Sequence, residues 1–201
     1  MRICITLDDV LRNKTYQFGK IYKKYVNPDI RLEELDMSSG NLQEIFGFKD
    51  KDAYNKFLYQ DYAFEIFAEA SVCDNMLDKN LNLWQLRLED DDDLKEPCEL
   101  LLSNTMEFNQ SIGCTYFFAS KLATRIREIF LPKDSSEIFD KCDVLITADP
   151  LLLNSKQDKV ITIKIKTDYN TSCPSDYEYD SLQEFLKDDK IIYEIQKEKG
   201  L

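Results

Sequence analysis

Apolar residues recur along this chain in two rhythms, and the change between them divides it. At the start, Ile3, Cys4 and Ile5, followed by Leu7, Asp8, Asp9, Val10 and Leu11, predict a buried strand over 1–6 that ends in an acidic loop. From about Lys14 to Glu96 the spacing is helical. Tyr16, Ile21, Tyr22, Tyr25 and Val26 can share one stripe, and 53–59, 62–70 and 75–88 carry apolar residues three to four apart. Pro28, Gly40 and Gly47 mark turns. Phe57, Tyr59, Tyr62, Phe64 and Phe67, with Trp84, read as the interior of this helical unit, with stacking on a nucleobase as the alternative.

From Pro97 short apolar runs alternate with helical ones. Strands are predicted over 98–103, 126–131, 143–147 and 160–165, and helices over 109–124, 135–141 and 181–187. Such alternation implies an α/β fold, a parallel sheet with helices on both faces and right-handed crossovers, with 1–6 as a central strand. The domain reading is a core of 1–13 and 97–201 with an inserted α-helical cap of 14–96. Ligands of such sheets gather at the carboxyl ends of the strands. There stand Thr6, Asp8 and Asp9; Ser103 and Asn104; Lys133; Thr147, Ala148 and Asp149; and Asp168 to Asn170.

Composition narrows the chemistry. The chain has 201 residues, 43% of them hydrophobic, enough for a packed core. A formal charge of −12 argues against nucleic-acid contact and anionic membranes. No run approaches a membrane span and the start does not read as a secretion signal, so a soluble, unexported product is expected. The six cysteines lack any C-x-x-C pair and read as reduced, mostly buried thiols. With no histidine in the chain, Ser-His and Cys-His nucleophile pairs and imidazole metal sites are excluded. Only five glycines occur, and none forms a phosphate-cradling loop. The acidic run 89–93 lacks the spacing of a calcium loop and reads as a solvated hinge. Tyr116, Phe117 and Phe118 cannot all face one sheet from one helix, which leaves an aromatic anchor for a protein interface.

The motifs, in their order and spacing, resemble the haloacid dehalogenase (HAD) superfamily and are most similar to its 5′(3′)-deoxyribonucleotidases. Thr6-Leu7-Asp8-Asp9-Val10 stands where that family has Asp-x-Asp-x-Thr/Val, "ELLLSN" matches the second motif at Ser103, and Lys133 is the candidate third-motif lysine. "DVLITADP" resembles Asp-Val-Leu-Ile-Asp-Asp-x-Pro with Thr147 and Ala148 in place of two acids, and "IKTDYN" and "YDSLQEFL" resemble the closing strand, turn and helix. The resemblance covers nearly the whole chain. It implies a HAD-like (Rossmannoid) fold and, for intact members, a first acid that attacks phosphorus, a second that protonates the leaving group, and Mg²⁺ held by acids of the first and fourth motifs.

Carried over residue by residue, only the second acid survives, as Asp8. Loss of an essential nucleophile commonly lowers turnover by about 10⁴ or more. The expectation is therefore a pseudoenzyme with no catalytic residues, no metal and no cofactor. It would serve as a structural or protein-interaction subunit, with other protein subunits as partners. A composition rich in Lys, Asn, Ile, Asp, Tyr and Phe suits an AT-rich bacterial or bacteriophage genome, and the expected setting is a bacterial cytoplasm or a bacteriophage particle. A nucleotide-binding regulator that keeps phosphate through Ser103 and Lys133 is the first alternative, and a divergent Mg²⁺-dependent nucleotidase the second.

Overall fold

Ile3, Cys4 and Ile5 are wholly buried because their strand, β1 (Arg2–Thr6), has a partner on each side. The computed structural model describes residues 1–104 and 110–200. The helix expected over 109–124 therefore begins, at Asn109, outside the described residues. The other strands are β2 (Glu99–Ser103), β3 (Glu128–Phe130), β4 (Val144–Thr147), β5 (Ile161–Ile165) and β6 (Tyr177–Tyr179). All pairings are parallel, in the order β3-β2-β1-β4-β5-β6. The α/β reading and the central place of the first strand hold. The three-residue β6, too short to show a period, is additional to the strands predicted.

Successive strand residues point to opposite faces, and the two faces bury different clusters. Ile3 and Ile5 join Leu100, Leu102, Val144, Ile146, Ile163 and Ile165 on one face. Cys4, Leu101 and Leu145 join Ile138, Phe139, Leu152 and Val160 on the other. Strands buried on both faces read as continuous apolar runs, and these do.

The helices are α1 (Lys14–Tyr25), α2 (Leu42–Ile45), α3 (Lys51–Asn55), α4 (Leu77–Asp90), α5 (Gln110–Lys121), α6 (Pro150–Asn154), α7 (Leu182–Phe185) and α8 (Ile191–Glu198). Wide π-type turns run over Lys56–Asp61 and Phe64–Ala68. The chain leaves the sheet after Arg12 and returns at Ser71. Asn13 N–H donates to the Ser71 carbonyl and Cys73 N–H to that of Leu11, each at 2.9 Å.

Packing within the stretch 14–96 is divided. Phe18, Tyr22, Phe46, Phe57, Ile66 and Phe67 form an aromatic-rich cluster of their own, with the Phe18 and Phe46 rings edge to face at 5.0 Å. Leu77, Leu81, Trp84 and Leu88 of α4 instead bury against the sheet, and Trp84 meets Phe185 of α7 at 5.4 Å. Trp84 is thus no part of the cap's aromatic interior. Phe64 is exposed, where it meets Phe117 at 5.2 Å. Of the three adjacent aromatics on α5, Phe118 is buried and both Tyr116 and Phe117 are exposed, one more than expected.

Candidate functional site

The strand tips converge as predicted, but around hydroxyls. Thr6, at the end of β1, and Thr147, at the end of the adjacent β4, are buried, and Thr6 Oγ1 donates to Thr147 Oγ1 at 3.0 Å. Thr147 Oγ1 also accepts from the Asp149 N–H at 3.1 Å. Two neutral side chains thus satisfy one another where a phosphate-transferring site would place negative charge. Ala148 is fully buried and contributes its carbonyl to Asn170 Nδ2 at 3.0 Å.

Asp8 is engaged. Arg12, whose side chain is 0% exposed, donates to Asp8 Oδ1 through Nε at 2.8 Å and also through Nη2. Lys14 Nζ lies 3.8 Å from Asp8 Oδ2. With its amide oriented to suit both neighbours, Asn104 completes the ring, donating to Asp8 Oδ2 at 3.3 Å and accepting from Arg12 Nη2 at 3.2 Å. The guanidinium also donates to the Phe67 carbonyl at 3.2 Å and lies 5.0 Å from the Phe67 ring centroid and 5.4 Å from that of Phe118. Burial opposes the charge of Lys14, but Asp8, tyrosines 54 and 59 and Asp9 outweigh it, so the ammonium holds its proton more tightly than an ordinary lysine.

Asp9 turns away from Asp8. Its backbone lies in the left-handed region, φ 57°, which non-glycine residues seldom adopt. Local hydrogen bonds hold it there: the carboxylate accepts from Thr15 N–H at 2.9 Å, from the Thr15 hydroxyl and from Tyr169 Oη at 2.7 Å. Asp149 caps α6, accepting from Leu151 N–H at 2.8 Å. Burial raises its carboxyl above the usual aspartate range, against the pull of that N–H and of Lys14.

Ser103, at the tip of β2 beside Thr6, is wholly buried, and its Oγ has no hydrogen-bond partner among the described residues. Lys133 is exposed beyond β3 at the sheet edge, its backbone N–H donating to Glu137 Oε2 at 3.1 Å. The cation beside Asp8 comes instead from Arg12 and Lys14, which the sequence reading did not single out. Two bases within six residues of the acidic loop were the available signal.

The donor set does not fit Mg²⁺, which takes carboxylates together with phosphate oxygens in an octahedron. Thr6, Thr147 and Ala148 offer no carboxylate, and that of Asp8 is spent on a buried guanidinium. Among the described residues no three Cys, Asp or Glu form a group able to hold a metal ion. Also among them, no helix is long and apolar enough to cross a membrane.

No protein-family model matches the sequence, and no curated protein matches it. Solved structures do. A haloacid dehalogenase-like hydrolase of Bacteroides fragilis superposes with a TM-score of 0.57 at 13% identity, covering 92% of this chain and 98% of that one. One from Burkholderia xenovorans LB400 gives 0.52 at 10% identity, covering 96% and 97%. At such identities the likeness speaks for the fold, which is that of the HAD-like hydrolases.

Proposed function

We propose that this chain, built on the fold of the haloacid dehalogenase-like hydrolases, is a non-catalytic relative of the deoxyribonucleotidases that serves as a structural or protein-interaction subunit. A bacteriophage particle is its concrete setting. The observation that carries the silent site is the Asp8–Arg12 pair. An acid that must release and regain a proton cannot also be the sole carboxylate facing a buried guanidinium, since each protonation would strand that charge. The exposed aromatics Tyr116, Phe117 and Phe64 support the interaction role, being of the residue type that anchors interfaces.

The full chain is to be assayed with p-nitrophenyl phosphate and with deoxynucleoside monophosphates in the presence of Mg²⁺. No turnover above buffer is expected, and metal-dependent turnover overturns the silent-site reading. Native mass measurement tests the subunit role: a chain that stays monomeric alone and in its source particle counts against it.

The unpartnered hydroxyl of Ser103 favours a second reading, in which the strand tips hold a phosphate group without cleaving it. Calorimetry with the same monophosphates decides it, and absence of heat removes it.

A further inference from the structure

A pocket of about 390 Å³ opens between α1, the following cap loop and the loop after β5. Thr6, Asp8, Ser103 and Thr147 take no part in its lining, but Asp9 after β1 and Thr167 to Tyr169 after β5 do, so it borders the carboxyl ends of the strands on the side of α1. Leu32, Leu35 and Phe46 make an apolar wall, Asp9 and Tyr169 meet the cavity as a hydrogen-bonded pair, and Asp168 is exposed at its edge. The size falls within the ordinary range for small-molecule sites, which combine apolar walls with a few polar groups.

Charge selects the occupant. The lining holds two carboxylates, Asp9 and Asp168, and no lysine or arginine. The three donors to Asp9 are neutral, and Lys14, whose ammonium Asp9 helps to hold, lies outside the lining. Burial first, and then the charge of Asp9, hold the Cys73 thiol and the Tyr169 phenol protonated. Among the described residues Asp168 forms no ion pair. An anionic ligand such as a nucleotide would enter this field against repulsion in a partly dry cavity, where charge is poorly screened. A cation would be drawn in.

We infer that this pocket binds a small molecule with an apolar body and an ammonium group, its body against Leu32, Leu35 and Phe46 and its cation toward Asp168 and Asp9. Binding there is read without turnover, so its failure is distinguishable from failure of the silent-site reading.

The test is calorimetric titration of the full chain with tryptamine and phenethylamine, beside indole-3-acetate and deoxythymidine monophosphate as anionic counterparts. The amines are expected to bind saturably and the anions not to bind. Asp168→Asn, an exposed change that leaves the fold intact, should weaken the amines by roughly threefold, the scale of one exposed ion pair. Leu35→Trp, filling the cavity, should abolish binding. Silence from both amines, equal binding by the anions, or amine affinity unchanged in Asp168→Asn overturns the inference.

Discussion

At the level of single side chains, the buried pair of Asp8 and Arg12 makes a structural duty for Asp8 measurable. An acid kept for chemistry is often a burden on the fold, and its removal tends to leave stability unchanged or raised. Here removal leaves a guanidinium that is 0% exposed without its counter-charge. Asp8→Asn should lower unfolding free energy by about 3 kcal/mol, read from urea denaturation, and a loss below about 0.5 kcal/mol, the scale of an ordinary surface change, would show that the pair is incidental. Asp149 gives a pH-dependent counterpart. Its carboxyl is raised by burial, so the folded chain holds that proton more tightly than the unfolded one. The resulting stability is fully present below the ordinary aspartate range and is lost as pH rises through the raised value. Asn keeps the helix cap without the charge. Asp149→Asn should therefore gain on the wild-type chain as pH climbs from the acid side toward neutrality, measured as the difference in thermal midpoint, and a difference that stays flat or reverses contradicts the assignment.

Elements were legible where one period governed them. The four longer strands are apolar runs buried on both faces, and their positions follow from the run of apolar residues alone. β6 was not legible: Tyr177–Tyr179 has one interior neighbour strand and too few residues to alternate. The partner of α4 was not legible either. Its apolar stripe has the spacing of any amphipathic helix, and only the tertiary structure turns Leu81 and Trp84 to the sheet while Phe18 and Phe57 turn to one another. The cap cluster thus stands largely on its own aromatic contacts. Phe18, 0% exposed and in ring contact with Phe46, Tyr54 and Phe57, is its centre. Phe18→Ala should cost about 3–5 kcal/mol in chemical denaturation. Loss of the cap's tyrosine near-UV signal before that of Trp84 would show the two clusters melting separately, and a single coincident transition would show them coupled.

Across the whole molecule, the placement of Thr6, Thr147 and Ala148 at the ends of β1 and β4 could be read from the sequence, because the apolar runs before them end there. What lies around Asp8 could not. Arg12 reaches Asp8 by a turn outside any helix, at a separation that on paper is only one of many acid–base coincidences in a chain with 38 acidic and 26 basic residues. That same guanidinium grips Asp8 below, the Phe67 carbonyl and ring above, and the Phe118 ring beside it. A hydrolase that admits substrate by swinging a lid needs a loose pivot where lid meets body. Here Arg12 ties the Phe67 segment to Asp8 and Phe118, so parting them would mean tearing that buried charge from all its neighbours at once.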